Sequence, residues 1–345
     1  MKNGEITAEK NRNMKKNVAI VAGGDSSEFV ISVGSAEQVA NQLRKDKYNV
    51  YTIFLKGEDW ILKSDKFGDI TVNKDNFSCT LQGKLLFFDV VFIAIHGTPG
   101  EDGKLQSYLD LIGIPYTSSG ASVSELTFNK YACKNYLKEI GIYSAKAMLI
   151  RKGDRIDEEK VIRTLGLPCF VKPNNSGSSV GISKVSGQDE LKTAIKKALG
   201  EGDEVIIEEF IKGIEISCGL VKLHNRELIF PLTEIISKKE FFDYEAKYTD
   251  GMANEITPAR ISEHTTISCQ ELSSRIYSAL GCNGIVRIDY ILSENKFCFL
   301  EINTVPGMSP ESIIPKQARA YGIDLADLYD LVIEDALFRK KKEHN

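Results

Sequence analysis

Residues 284–308, GIVRIDYILSENKFCFLEINTVPGM, constrain the fold of this chain more than any other stretch. Two apolar runs rich in β-branched and aromatic residues flank a short polar turn, the pattern of an antiparallel hairpin. Side chains alternate along a strand, so Arg287 shares a face with Asp289, and Glu301 with Asn303. A three-residue turn at 294–296 sets Asp289 opposite Glu301 and Arg287 opposite Asn303. A four-residue turn would put the two polar pairs on opposite faces, because a slip of one residue inverts a strand. In the first register, two carboxylates, an amide and a guanidinium gather on one face of otherwise hydrophobic strands. Burying like charges together is costly without a cation between them. Hard oxygen donors of this kind suit Mg²⁺, which takes one or two carboxylates and completes its shell with phosphate oxygens. The plainer reading is a solvated sheet face with an incidental Arg–Asp pair, and the rest of the chain weighs against it.

At 345 residues the chain is long enough for two or three domains. Its net charge of −4 offers no basic surface, so nucleic acid is not an expected partner. The seven cysteines show no CxxC spacing, and Cys169, Cys218 and Cys298 sit in apolar runs. That pattern predicts reduced, buried thiols and a cytoplasmic protein. No apolar run approaches the ~18 residues of a membrane span, so no membrane insertion is expected. Residues 1–16 are polar and lack the apolar segment of a signal peptide; they read as a disordered extension, with Met14 an alternative start. The charged tail 339–345 reads as solvated.

A strand at 17–22 leads into GGDSSE and a helix marked by Val33, Ala36, Val39, Ala40 and Leu43. Strands at 50–54 and 87–95 follow, then a helix through Leu105, Leu109 and Ile112 and a short strand at 114–117. Strand–helix–strand alternation predicts a parallel α/β sheet with ligands at the carboxyl ends of its strands. Two loops leave those ends, 23–32 with Glu28 and 96–103 with His96. Glu28 could simply complement a helix dipole, and a lone histidine is more often structural than chemical. A loop holding three glycines and two acids favours a site role for His96.

A second unit begins near Ser118. Lys130 opens a helix whose Cys133, Tyr136, Leu137 and Ile140 share a face. The strand 168–173 carries Lys172 and is followed by NNSGSSVG, 174–181. Such a loop offers backbone N–H groups and hydroxyls to phosphate, although a Gly/Ser loop alone is usually a plain turn. No GxxxxGK[ST] occurs, which disfavours a P-loop enzyme. Next come an acidic strand at 204–210 and strands at 214–223 and 227–233. The polar, aromatic segment 241–253 carries Lys247 and Tyr248, and a helix over 268–280 leads into the hairpin. An aperiodic segment of that length suits a substrate-covering lid. Ser293 and Lys296 match SxxK only by chance, within the turn.

Lys130, Lys172 and Lys247 on separate segments, a Gly/Ser flap and a carboxylate pair describe ATP held between two domains. Phosphoryl transfer needs mainly positioning and charge neutralisation. No cysteine or serine has a recognisable base beside it, so no covalent nucleophile is evident; ATP in such a site would activate a carboxylate as an acyl phosphate, which an amine attacks. Arg287 and the Gly307 N–H could steady the oxyanion.

The chain resembles the D-alanine–D-alanine ligase family of the ATP-grasp superfamily over about residues 17–335. The shared motifs arrive in family order: GGDSSE (23–28), HGTPGEDG (96–103), VKPNNSGSSVG (171–181), FFDYEAKY (241–248), RID (287–289) and EINTVPGM (301–308). The resemblance implies an α/β, three-domain ATP-grasp ligase with an N-terminal parallel α/β sheet domain (17–118). Two α+β domains, 119–210 and 211–345 with its lid 241–253, would sandwich ATP. It implies Lys130, Lys172, Ser179 and Lys247 on the phosphates, with Glu208, Ile211 and Glu215 around adenine and ribose. Asp289, Glu301 and Asn303 would hold two Mg²⁺, with Mn²⁺ an acceptable substitute. Glu28 would bind the first D-alanine's amino group and be linked through Ser178 to Tyr248 of the lid. His96 would lie close to that substrate. Ser312, with Lys247, would accept the second D-alanine's carboxylate, and Arg287 with Gly307 would form the oxyanion site. The family is commonly dimeric, which implies a homodimer through helices of the first domain.

Two departures stand out. Asn175 and Ser176 replace a charged pair common in the family's flap, which implies looser closure. Met308-Ser-Pro-Glu-Ser312 replaces Met-Thr-Ser-His-Ser or similar, which bears on the second-substrate subsite. Tyr248 is similar to the dipeptide-forming enzymes and unlike the D-lactate ligases, but D-alanine–D-serine ligases can share this lid. Ile313 would present an apolar side chain to the second substrate's methyl group, favouring alanine over serine. The remaining alternative is a nucleotide-binding protein of this fold without turnover.

Overall fold

The computed structural model describes residues 15–177, 180–237 and 253–343. The N-terminal part contains β1 (Lys16–Gly23), α1 (Phe29–Gln42), β2 (Tyr48–Lys56), β3 (Asp59–Lys63), β4 (Ile70–Thr71), β5 (Cys79–Leu81), β6 (Lys84–Leu86), β7 (Val90–Ile93) and α2 (Lys104–Ile112). A five-stranded sheet has the order β4-β3-β2-β1-β7. β1 runs parallel to β2 and β7, as alternation of strand and helix predicts, while β3 and β4 add an antiparallel edge. β1 is apolar on both faces because both are covered. Val18, Ile20 and Ala22 join one core cluster; Ala19 and Val21 join another. The first strand takes in Lys16, which the sequence assigns to the extension; residues 1–14 of that extension lie outside the described residues. The expected strand at 114–117 is a single bridge from Tyr116 to Val91.

The central part runs α3 (Ala121–Phe128), α4 (Lys130–Glu139), β8 (Ala147–Arg151), α5 (Glu158–Leu165), β9 (Cys169–Pro173), β10 (Ser183–Val185), α6 (Gln188–Ala198) and β11 (Glu204–Glu209). Its four-stranded sheet is antiparallel, in the order β10-β9-β11-β8. Alternation divides the faces. Cys169, Val171, Val205 and Ile207 pack with Val161, Leu165, Leu191 and Ile195 of the two covering helices, α5 and α6. Phe170, Lys172 and Glu208 point the other way.

The C-terminal part holds β12 (Ile214–Lys222), β13 (Glu227–Ile229), β14 (Thr233–Ser237), β15 (Ala253–Ile256), α7 (Glu263–Leu280), β16 (Val286–Ser293), β17 (Lys296–Asn303), α8 (Ile313–Tyr321) and α9 (Leu325–Glu343). Its six-stranded sheet has the order β15-β14-β12-β16-β17, with β13 paired to β12. The single strand expected over 227–233 is divided between β13 and β14. Helix α7 starts earlier than expected because the Ser262 side chain accepts from Thr265 N–H and caps it. Ile216, Cys218, Ile288, Tyr290 and Ile302 pack with Cys269, Ile276 and Tyr277 of α7.

The hairpin turn differs from the three-residue turn that the sequence suggests. Ser293 pairs with Lys296, leaving the two residues Glu294 (φ 48°) and Asn295 (φ 61°) as a left-handed turn. That turn alone would set Asp289 opposite Leu300 and send Glu301 to the core face. Tyr290 pairs with Phe299 but Asp289 pairs with Glu301, so Leu300 is an extra residue in a β-bulge. The bulge restores the expected pairings of Asp289 with Glu301 and of Arg287 with Asn303.

The C-terminal helix α9 returns to the first sheet, where Leu328, Tyr329 and Val332 cluster with Val18 and Ile20. Arg44 pairs with Asp327, and Lys47 and Tyr48 with Asp330. The tail is not simply solvated. Arg339 donates to Asp335 (3.1 Å) and to the Tyr116 carbonyl (3.0 Å). Replacing Glu294 by Asn, which tolerates left-handed backbone better, should raise stability by up to about 1 kcal/mol. Thermal unfolding measures this, and a lowered midpoint would contradict the two-residue turn.

Candidate active site

Between the central and C-terminal sheets lies a cavity of about 520 Å³, a size typical of small-molecule sites. Of the residues singled out from sequence, Lys130, Lys172, Glu208, Ile211, Glu215, Arg287, Asp289, Glu301 and Ile313 line it. Phe170, Phe210 and Phe299 supply apolar wall. Asn303 lines an adjoining cleft with Lys130, Glu101 and Glu301. Ser178, Ser179, Lys247 and Tyr248 lie outside the described residues.

Asp289 is buried and heavily bonded. Arg287 Nε and Nη2 donate to it at 2.9 and 2.7 Å, Ser217 Oγ at 2.6 Å and Asn303 Nδ2 at 3.2 Å. Ser217 reaches it because β12 sets Ser217 directly opposite Asp289. The fork of the guanidinium matches the carboxylate geometry, which makes this a strong, charge-assisted pair. Burial opposes the Arg287 charge, yet Asp289 and Glu301 hold its pKa above the ordinary value. Glu301 lies 3.4 Å from Lys130 Nζ, which also donates 2.6 Å to the Ser176 carbonyl at the flap. Asn174 anchors the flap's start: its Oδ1 accepts from Tyr131 N–H and its Nδ2 donates to Asn129.

Across the cavity, Glu208 sits between two lysines. Its Oε2 is 2.8 Å from Lys172 Nζ and its Oε1 2.6 Å from Lys134 Nζ. The Lys134 contact is an ion pair without good hydrogen-bond alignment, so both of its atoms lack a directional partner. Burial alone would raise the Glu208 pKa, but the two ammonium groups pull it down to about 2. Burial lowers Lys134 despite Glu208, whereas Lys172, facing Glu208, Glu301 and Glu215, is held above its usual value. Sequence reasoning missed Lys134. The available signal was its place one helical turn after Lys130. It missed Ser217 too, whose polar side chain interrupts an apolar strand.

The two N-terminal loops approach from the side. Glu28 is the N-cap of α1 but makes no side-chain capping bond. Gly177 of the flap lies so close to the Glu28 carboxylate that any Cβ there would collide with it. His96 is buried, its Nε2 3.1 Å from Ser35 Oγ. Glu101, also missed, accepts from Gly97 N–H at 2.7 Å. Burial and the neighbouring Glu28 push its carboxyl up to about 8, against the pull of Gly97, Lys130 and Arg287. Glu28, His96, Gly307 and Ser312 do not line the large cavity. Ser312 sits at the N-cap position of α8 without a side-chain capping bond, its Oγ 2.7 Å from that of Ser309 and close against Gly307.

Two family models match in succession, "D-ala D-ala ligase N-terminus" over residues 17–119 and "D-ala D-ala ligase C-terminus" over 136–334. The chain belongs to the D-alanine–D-alanine ligase family. A D-alanine–D-alanine ligase of Parabacteroides distasonis is 49% identical over 329 residues, 95% of this chain and 99% of that protein. Among solved structures, the VanG D-Ala:D-Ser ligase from Enterococcus faecalis aligns with a TM-score of 0.84 at 29% identity. The alignment covers 94% of this chain and 100% of that one. A Bacillus anthracis D-alanine–D-alanine ligase complexed with ATP aligns at 0.76 and 27% identity, over 95% and 99% of the two chains.

The three larger sheets are those of an ATP-grasp ligase, and ATP with a divalent metal is what this family implies. The donor set fits such a metal. Asp289 and Glu301 are hard carboxylates held opposite each other, and Asn303 beside them donates through nitrogen, keeping its oxygen as acceptor. No cluster of three or more His, Cys, Asp or Glu occurs among the described residues. Because the Glu208 pKa drops from 4.5 to about 2 on folding, its contribution is intact above about 4.5 and lost as pH falls towards 2. Denaturant unfolding at stepped pH should therefore show a steeper acid loss for wild type than for Glu208→Gln.

Proposed function

We propose that this chain joins two D-alanine molecules at the expense of ATP, giving D-alanyl-D-alanine for peptidoglycan precursors. The observation that carries this reading is one cavity faced by the Asp289–Glu301 carboxylate pair on one sheet and by Lys172 and Glu208 on the other. The γ-phosphoryl group would pass to the first D-alanine's carboxylate, leaving ADP and an acyl phosphate. The second D-alanine's amine would attack the acyl carbon, expelling phosphate and releasing a proton.

Lys130 and Lys172 are well situated to hold phosphates, with Ser179 and Lys247 assigned to the same task from their motifs. Glu208, Ile211 and Glu215 line the slot suited to adenine and ribose. Asp289, Glu301 and Asn303 would hold Mg²⁺, two ions in this proposal, or Mn²⁺ in its place. Bound metal would neutralise phosphate charge. Glu28, Ser178 and Tyr248 would receive the first D-alanine with His96 nearby, and Ser312 with Lys247 the carboxylate of the second. Arg287 and Gly307 N–H would steady the oxyanion; the bond from Arg287 to Asp289 supports a preorganised guanidinium. Ile313, in the cavity wall, favours a methyl group on the second substrate.

The units 17–118, 119–210 and 211–345 each hold one of the larger sheets, which supports three domains. A homodimer through the first domain is supported by Val30 (79% exposed) and Leu111 (86% exposed) on its helices. Seven free, buried cysteines favour the cytoplasm, and no described helix is long and apolar enough to cross a membrane. A second reading, D-alanine–D-serine ligation, is favoured by the likeness to the Enterococcus faecalis enzyme.

ADP release should occur with Mg²⁺–ATP and D-alanine alone, and mass spectrometry should find D-alanyl-D-alanine as the main product even with D-serine or D-lactate added. A main D-alanyl-D-serine product would select the second reading. No ADP with any D-amino acid would sink the substrate. Glu301→Gln should cut turnover by roughly 100-fold or more; unchanged Mg²⁺ dependence would refute the metal assignment.

A further inference from the structure

Ser35, fully buried on α1, meets two segments that are far apart in the chain. Its Oγ lies 3.1 Å from His96 Nε2, in the loop after β7, and accepts at 3.1 Å from Met308 N–H, in the loop after β17. Ser32, one turn earlier, shows how a buried hydroxyl is normally satisfied. It accepts from Gly23 N–H and donates to the Ala94 carbonyl, both at 2.8 Å. Ser35 has no carbonyl among these contacts; both partners are nitrogens.

A backbone N–H can only donate, so the Met308 contact uses a lone pair of Ser35 Oγ. The hydroxyl proton then needs an acceptor, and His96 Nε2 is the atom in reach. If Nε2 itself carried the proton, Ser35 would accept twice and its own proton would be stranded in a fully buried place. We infer that Ser35 donates to His96 Nε2 and fixes the uncharged imidazole with its proton on Nδ1. Which nitrogen of a histidine is protonated is set by the bond the other nitrogen makes. Ser35 is thus a positioning residue for His96. Any proton that His96 donates to a ligand would leave from Nδ1, while Nε2 is engaged by Ser35 on α1. The same hydroxyl holds the backbone next to Gly307, so the histidine loop and the proposed oxyanion loop share one anchor. The role in turnover rests on the proposed ligase activity; the tautomer does not.

The test is long-range ¹H–¹⁵N spectroscopy of ¹⁵N-histidine-labelled protein at pH about 8, above the ordinary histidine range. The His96 signals among the four histidines are identified by their loss in His96→Gln. Wild type should show Nδ1 protonated and Nε2 bare. A proton on Nε2, or a charged ring, would overturn the inference. In Ser35→Ala, the ring should lose its single tautomer, and kcat should fall roughly tenfold, the scale of one lost hydrogen bond, with KM for ATP unchanged. An unchanged kcat would overturn the positioning role. If wild type made no dipeptide, the proposed function would fail while the spectrum still decided the tautomer.

Discussion

The pairing of the two carboxylates, Asp289 and Glu301, on the C-terminal sheet depends on one extra residue, Leu300. A two-residue turn and an unbroken ladder would put Glu301 against α7 and Ile302 against the cavity. The bulge moves Glu301 to the face of Asp289 and returns Ile302 to the core. A carboxylate on the core face would be buried among Ile216, Tyr290 and Ile276 without a partner, at a cost of several kcal/mol. The same residue therefore maintains both the hydrophobic packing and the carboxylate pair.

Charge balance inside the cavity follows from that face. Lys130 rests near Glu301, Lys172 and Lys134 grip Glu208, and Arg287 grips Asp289. Each buried charge has an opposite neighbour before any ligand arrives, as burial requires. A polyphosphate with its metal would enter by exchange. Phosphate would take over from Glu301 as the partner of Lys130, and the metal would replace the lysine at Glu301. Lys134, also in the cavity wall, shares with Lys172 the task of holding Glu208 ionised.

The parts are joined by side chains as well as by the chain. Helix α9 lays Leu328, Tyr329 and Val332 against the first sheet and secures them with Asp327 and Asp330 on Arg44, Lys47 and Tyr48. On the other side of α1, Ser35 ties the His96 loop to Met308. Flap residue Gly177 lies against the Glu28 carboxylate, which would have to shift to admit a Cβ there. Loops at the ends of β1 and β7 are thereby brought beside a cavity built from two other sheets.

The sequence by itself determined the strands at 286–303, the face shared by Arg287 and Asp289, the parallel core of the first sheet and the lysines at 130 and 172. Those follow from periodicity and chemistry that are local in the chain, and the family resemblance rests on the same motifs. It did not determine the bulge at Leu300, because a two-residue turn with a bulge and a three-residue turn give the same pairing of acids. Nor did it reveal Lys134, Ser217, Glu101 or Ser35, which look like ordinary helix, strand and loop residues. Their roles come from atoms brought near them by packing: Glu208 for Lys134, Asp289 for Ser217, Glu28 for Glu101 and His96 for Ser35. Only the tertiary structure decides such contacts, since a buried charge or hydroxyl finds its partner across the core rather than along the chain.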